Sequence, residues 1–439
     1  MEKIKDYFRK KLPASFILWS HKARAVLAAV MYGMPAKNIR VIMVTGTNGK
    51  TTTCNMIAKI LEQANYKVAL ASTINFRINK KEWVNKTKMT TVSPFALQKF
   101  IRDAVKAGCH YLVLETTSHA IVQDRIWSIK PKIAVITNIT HDHLDYHKTH
   151  EEYREAKARI FHQCETAIIN MDDKSAGYFI RIPVPKTITY GAEGGEKDRP
   201  GKPDILAKKI ILEPTGSMFT VITPDSQIAI NLKLPGKFNI YNAIAALSVA
   251  TDLKIHLNVV KDALESIDNI PGRMETIDMG QSFTVIIDYA HSPDALEKIY
   301  STLAASRRGK IIAVFGACGD RDRSKRPIMG ALAGRFADVV ILTNEDPYTE
   351  DPVKIIEEVA VGVPRGAGRG QKMGGEGFFK ILDRREAIQK AFDLAVSDDV
   401  VIITGKGAEE CMVVGHEKIP WSDKKVVKEL LMKRRDNNE

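Results

Sequence analysis

At 439 residues the chain exceeds what one hydrophobic core usually holds, so two or three domains are expected. Its 44% hydrophobic and 27% charged residues are an ordinary globular balance that argues against extensive disorder. The net charge of +13 is concentrated at the start, where residues 1–40 hold nine Lys/Arg against Glu2 and Asp6, a local +7.

Such a segment could attract nucleic acid, anionic lipid or a phosphorylated substrate. No aromatic-rich basic stripe or nucleic-acid motif accompanies it, so no nucleic-acid partner is expected. Five widely spaced cysteines without a C-x-x-C pair suit unpaired thiols in a reducing cytoplasm and give no support to a zinc site. Nothing resembles a cleavable signal peptide or a full-length membrane span, so the chain is read as cytoplasmic, and as a monomer.

Along the chain, Leu12, Phe16, Trp19, Ala23, Val26 and Val30 alternate in steps of four and three. They form one apolar stripe on a helix, and His21, Lys22 and Arg24 interrupt any membrane-spanning run. The stripe is expected to pack on the next domain, with docking on a membrane surface as the second reading. Val41–Val44 then reads as a buried strand entering a glycine-rich turn and a helix. Tyr111–Leu114 and Ile133–Ile136 are further apolar runs that end in polar residues. Short apolar strands spaced by helices predict a parallel, helix-covered sheet with its ligands beyond the carboxyl ends of the strands. Over 190–235, Gly/Pro-rich turns separate alternating stretches such as Met218–Thr223, which predicts a small antiparallel flap. Pro271 and Gly272 mark a boundary near residue 268. Beyond it, Thr284–Asp288, Lys310–Phe315, Val339–Thr343 and Val400–Thr404 predict a second α/β unit. Seven glycines in 362–377 mark a mobile surface loop.

The strongest chemical signal is Thr45-Gly-Thr-Asn-Gly-Lys-Thr-Thr52, between the first strand and its helix. Gly46 and Gly49 let the backbone of Thr47 and Asn48 approach phosphate oxygens, and the helix start at Thr51 and Thr52 adds positive potential. Lys50 reaches the β- and γ-phosphates of ATP, and the Thr51 hydroxyl serves Mg²⁺. The strict P-loop pattern would place glycine at position 44, where Val44 stands. Glu115 and His143 follow predicted strand ends, and a carboxylate and an imidazole beside a P-loop suit a Mg²⁺ site, although oxygen ligands are the more usual choice. The fold class is thus α/β: a basic segment 1–40, a central parallel-sheet P-loop ATPase domain 41–268, and a Rossmann-like C-terminal domain 269–439.

"GTNGKTTT" is the form of the P-loop found in Mur ligases, and blocks resembling that family follow in order. They are Thr90-Thr91, "ETTSHAIVQDR" (115–125), "TNITHDHLDYHKTHEEYREAKARIF" (137–161), "LPGKFNIYNAIAA" (234–246), "PGR" (271–273), "DYAHSPDAL" (288–296), "GACGDRDRSKRPIMG" (316–330) and "GKGAEE" (405–410). The resemblance spans roughly 40–425 and is closest to the branch that adds the third stem-peptide residue. It implies an ATP-dependent acid–amino-acid ligase of peptidoglycan synthesis. ATP would phosphorylate the terminal carboxylate of a muramoyl-peptide acceptor, and the amine of a free amino acid would attack the acyl phosphate. Two Mg²⁺ ions are implied, with Glu115 and His143 as ligands of one and a carbamylated Lys157 as ligand of the second. The resemblance also implies acceptor contacts at Thr90, Thr91, Thr117, Gln123 and Arg125. Nucleotide contacts are implied at Asn239, Asn242, Arg273 and Asp288, with Arg273 stabilising the transferring phosphoryl group. Closure of the C-terminal domain would bring the amino acid to the acyl phosphate and exclude water.

Two departures matter. The relatives carry an N-terminal domain that grips the uridine nucleotide, and the roughly 40 residues ahead of the P-loop are too few for it. A lipid-linked or otherwise altered acceptor is therefore an alternative. Diaminopimelate enzymes also carry D-N-P-R where this chain reads Glu345-Asp346-Pro347-Tyr348. That arginine would pair with the distal carboxylate of diaminopimelate. Arg321 remains for the α-carboxylate, and Glu409, four residues after Gly405, remains for an ammonium. L-lysine or L-ornithine is therefore expected over meso-diaminopimelate. A folylpolyglutamate-type ligase is the competing enzyme reading, but it normally reads G-K-G-S in the loop and lacks the "TSHA" and "DHLDYH" blocks. A degenerate nucleotide-binding scaffold is the non-enzyme alternative.

Overall fold

The computed structural model describes residues 14–87, 89–140, 144–196, 198–213, 215–364 and 377–436. The central strands are β1 (Arg40–Thr45), β2 (Val68–Ala71), β3 (Asn75–Ile78), β4 (Lys81–Val84), β5 (Tyr111–Glu115) and β6 (Ile133–Ile136). They continue with β7 (Thr166–Asn170), β8 (Lys186–Ala192), β9 (Ile205–Glu213), β10 (Gly216–Ile222) and β11 (Gln227–Leu232). All eleven join one sheet, ordered β11-β10-β9-β8-β7-β6-β1-β5-β2-β3-β4. It is parallel from β2 to β9 and antiparallel at both ends. The strands expected as a small antiparallel flap are antiparallel β9, β10 and β11, and they form the edge of this sheet.

Val41–Val44, Tyr111–Leu114 and Ile133–Ile136 are buried on both faces, as their uninterrupted apolar runs require. One face is covered by the helices Lys50–Gln63, Lys237–Asp252 and Leu257–Glu265, the other by Pro94–Lys106 and His150–Ala158. Central β1 lies between β5 and β6, with Val44 beside Glu115 and Thr45 beside Ile136. The loops leaving these three strands therefore open at one point above the sheet, where the strand order reverses.

The second sheet contains β12 (Glu275–Ile277), β13 (Thr284–Asp288), β14 (Ile311–Phe315), β15 (Val339–Leu342), β16 (Phe378–Lys380) and β17 (Val400–Thr404). Its order is β12-β13-β17-β14-β15-β16, all parallel except β12. A hairpin of β18 (Cys411–Val414) and β19 (Glu417–Pro420) follows. The α/β fold class is borne out in both sheets. Residues 365–376 of the glycine-rich stretch lie outside the described residues.

The N-terminal helix Ala14–Met31 reverses the expected stripe. Ala25, Ala28 and Ala29 are buried, whereas Trp19, Ala23 and Val30 are exposed and Val26 is half-buried. Leu12 lies outside the described residues. The helix packs on Pro94–Lys106, whose own large residues Leu97, Phe100 and Ile101 are buried in the core cluster on the sheet. Against such a surface a small-residue face permits the closer approach, and Arg102 seals the junction by stacking 4.7 Å from the Tyr32 ring. No described helix is long and apolar enough to cross a membrane.

A buried ion pair fixes the C-terminal unit. Arg384 donates Nε and Nη2 to Asp423 at 2.8 and 2.7 Å, and Nη2 also reaches the Thr404 carbonyl at 2.9 Å. Trp421 Nε1 adds a bond to Asp423 at 2.8 Å. Arg384→Met leaves Asp423 buried without its cation and is expected to cost about 3–5 kcal/mol. A urea titration reads this directly; a loss below about 1 kcal/mol would contradict it.

Candidate active site

The P-loop is pinned before any ligand enters. Gly46 and Gly49 have φ of 146° and 83°. A Cβ on Gly46 would lie 1.9 Å from Thr137 Oγ1, and one on Gly49 would lie 2.3 Å from Asn242 Oδ1. The Thr47 amide donates to the Asn138 carbonyl at 2.8 Å, and Asn48 N to Asn138 Oδ1 at 3.0 Å. Helix Lys50–Gln63 starts at the loop's end, so its first amides face the space above β1. Lys50 Nζ curls over the loop to the Gly46 and Thr47 carbonyls at 3.0 and 2.7 Å. Lys157 Nζ, 1% exposed, donates to the same Gly46 carbonyl at 2.8 Å. Two ammonium groups thus converge on one peptide.

Glu115 ends β5 directly beside the loop and is buried. It accepts the Thr51 hydroxyl at 3.0 Å, Thr73 N at 2.7 Å and Thr73 Oγ1 at 2.9 Å. These donors are all neutral, so the carboxylate and the Thr51 hydroxyl suit a divalent cation with oxygen preference. His143 lies outside the described residues. Arg273 comes from the C-terminal unit, stacks 4.6 Å from the Tyr289 ring and donates Nη2 to Thr51 Oγ1 at 3.0 Å. Burial raises the Asp288 carboxyl, while Arg273 and the Met274 and Ala290 amides counter the shift. A cavity of about 750 Å³ opens over Gly49 and Thr52, with Asn239, Asn242, Arg273 and Asp288 in its wall.

The expected acceptor residues form a connected group. Thr73 Oγ1 lies within hydrogen-bonding distance of Thr90 Oγ1 at 3.0 Å, and Thr91 Oγ1 donates to the Glu115 carbonyl at 3.0 Å. Thr117 N donates to Thr91 Oγ1 at 3.2 Å, and Thr117 Oγ1 caps the helix Ser118–Val122. Arg125 holds Gln123 Oε1 through Nε and Nη2 at 3.0 and 2.6 Å, and Nη1 reaches the Thr91 carbonyl at 2.8 Å.

The residues expected at the amino acid meet around the β18–β19 hairpin. Buried Lys406 donates to Asp346 Oδ1 at 2.8 Å and Glu409 Oε2 at 2.6 Å. Glu345 accepts Cys318 Sγ at 3.0 Å, and a Cβ on Gly405 would stand 2.3 Å from its Oε2. The Pro347 carbonyl lies against Gly319, whose amide bonds to Asp346. Arg321 stacks 5.0 Å from the Tyr348 ring, and Tyr348 is held at φ 48° by backbone bonds to Val413 and Gly415. A cleft of about 680 Å³ runs between Thr73 and Thr90 on one side and Ala408–Cys411 on the other. Glu409 lines it; Arg321 and Tyr348 do not.

Sequence reasoning missed three groups. Thr73 sits in no motif, and only the fold shows that it holds Glu115. Asp294 accepts Asn48 Nδ2 at 2.5 Å and Thr140 Oγ1 at 3.1 Å, tying the C-terminal unit to the P-loop. It lies within "DYAHSPDAL", so its block was the available signal. His147, buried against Ser118 Oγ at 2.9 Å, is held down to about 4 chiefly by burial, then by His119 and Lys157.

Residues 44–250 match the Mur ligase middle domain, and residues 272–407 match the Mur ligase glutamate ligase domain. A Clostridium botulinum protein named UDP-N-acetylmuramoyl-L-alanyl-D-glutamate–2,6-diaminopimelate ligase is 37% identical over 94% of this chain and 82% of its own length. The chain belongs to the Mur ligase family. This Mur ligase is 38% identical to the UDP-N-acetylmuramyl-tripeptide synthetase of Roseiflexus, over 94% of the chain and 83% of the relative. A solved diaminopimelate ligase superposes with TM-score 0.64 at 32% identity, covering 94% of this chain and 83% of the other. Mycobacterium tuberculosis folylpolyglutamate synthase complexed with ADP shares the fold at TM-score 0.69 and 18% identity, with coverage of 88% and 91%. The expectation of an ATP-dependent acid–amino-acid ligase that extends a muramoyl peptide in peptidoglycan synthesis is borne out.

Proposed function

We propose that this Mur ligase joins L-lysine or L-ornithine, in preference to meso-diaminopimelate, to the terminal carboxylate of a muramoyl dipeptide. A carboxylate oxygen attacks the γ-phosphorus of ATP and ADP departs. The amine nitrogen then attacks the acyl carbon, phosphate leaves, and the amine gives up a proton as the amide forms. Lys50, Arg273 and the P-loop amides neutralise and align the phosphates, and Thr90, Thr91, Thr117, Gln123 and Arg125 place the acceptor. Thr51, Glu115 and His143 would hold one Mg²⁺ and carbamylated Lys157 a second, and these ions supply charge neutralisation for the transferred phosphoryl group. Asn239, Asn242 and Asp288 line the nucleotide side.

The observation that supports the amino-acid choice is the Asp346–Lys406–Glu409 group, in which two carboxylates flank one buried ammonium at the edge of the cleft. Glu409 brings a carboxylate to the cleft wall, where it favours a distal ammonium. The resemblance implies D-N-P-R here in diaminopimelate enzymes: Tyr348 offers one neutral hydroxyl where that motif would offer a guanidinium. A bidentate arginine–carboxylate contact contributes on the order of 1.5–3 kcal/mol, about ten- to hundredfold in selectivity. Comparison of kcat/KM for lysine, ornithine and meso-diaminopimelate tests the proposal. A preference for lysine or ornithine by about tenfold or more is expected, and Tyr348→Arg should narrow it. A clear preference of the unaltered enzyme for diaminopimelate would overturn it.

A further inference from the structure

We propose that helix Ala14–Met31 docks this ligase on an anionic lipid surface, lying parallel to the membrane with its solvent face inserted at the headgroup boundary. The buried face, Ala25, Ala28 and Ala29, is already committed to the helix Pro94–Lys106. On the opposite face Trp19, Leu27, Val30 and Met31 are 64%, 59%, 58% and 65% exposed. At 3.6 residues per turn, Val26, Trp19, Val30, Ala23, Leu27 and Met31 fall within an arc of about 140°. That arc is apolar apart from Ser20, and exposed Lys22 and Arg24 stand at its two edges.

This is the arrangement of an interfacial helix. Apolar side chains enter the acyl boundary while cations at both edges extend to lipid phosphates. The charge selects the occupant. A second copy of the chain would bring Lys22 and Arg24 against their own equivalents, whereas anionic headgroups complement them, and residues 1–40 carry +7 in all. The helix is too polar to cross the membrane, so the contact is peripheral. The surface lies apart from the P-loop and the amino-acid cleft, and the inference does not depend on which amino acid is added.

The test is co-sedimentation of the full chain with vesicles of phosphatidylglycerol and phosphatidylcholine, and with phosphatidylcholine alone. Binding to the anionic vesicles at low salt is expected, with at least about a tenfold lower bound fraction for Leu27→Asp/Val30→Asp and for Lys22→Glu/Arg24→Glu. Both double variants alter exposed side chains, so unchanged melting temperature and unchanged ligation of a water-soluble acceptor are expected alongside. Absence of vesicle binding by the unaltered chain would overturn the proposal. So would binding that both variants retain, or concentration-dependent self-association that Leu27→Asp/Val30→Asp abolishes without any vesicle binding.

Discussion

Lys50→Ala is expected to lower the rate of ligation by about a thousandfold or more, with the fold intact. The lysine is half-buried, and its Nζ donates to the Gly46 and Thr47 carbonyls of its own loop. Those two carbonyls are neutral, so truncation leaves no unpaired charge on them. What is lost is the P-loop ammonium that would turn from those carbonyls onto phosphate oxygens, where the developing charge is greatest. The check is single-turnover formation of ADP and ligated product, beside a thermal melt. A melting temperature near that of the unaltered enzyme with turnover down by orders of magnitude is the expected pair of results. Unchanged turnover would remove the P-loop from the mechanism.

Lys157→Ala is expected to be comparably damaging, and its rescue is the informative part. The side chain is 1% exposed, and its Nζ sits 2.8 Å from the Gly46 carbonyl and 4.4 Å from the Tyr153 ring centroid. Two roles are chemically distinct here. As an ammonium it would brace the loop; as a carbamate it would be an anionic oxygen ligand for a cation beside the phosphates. Truncation removes the buried ammonium and leaves room beside the Gly46 carbonyl for a small solute. If the carbamate is the working form, acetate or formate restores part of the lost rate and methylamine does not. Rescue by methylamine alone would assign Lys157 to the loop and withdraw the second metal site.

The parts of this molecule legible in its sequence are those with a local cause. Val41–Val44, Ile133–Ile136 and Val401–Ile403 announce themselves as strands because both faces are buried and no polar residue interrupts them. Gly46 and Gly49 are legible because no side chain fits there. The three-residue strand Phe378–Lys380 and the edge hairpin Asn75–Val84 carry too little periodicity to be found. The N-terminal helix was misread for a physical reason. Its large residues form the more obvious stripe, but contact with another helix selected the alanines. Long-range pairing is the other gap: Asn48 and Asp294 are 246 positions apart, and nothing local to either predicts their bond. Likewise Glu409 reads as a free carboxylate until Lys406 is seen between it and Asp346.

The most direct measurement is the mass of the product. The purified chain is incubated with ATP, Mg²⁺, UDP-N-acetylmuramoyl-L-alanyl-D-glutamate and an equimolar mixture of lysine, ornithine and meso-diaminopimelate. The account predicts that the acceptor gains the mass of a single lysine or ornithine residue, with one ADP and one phosphate released per product. An acceptor of unchanged mass, with ATP consumed or not, or one that gains diaminopimelate instead, would contradict it.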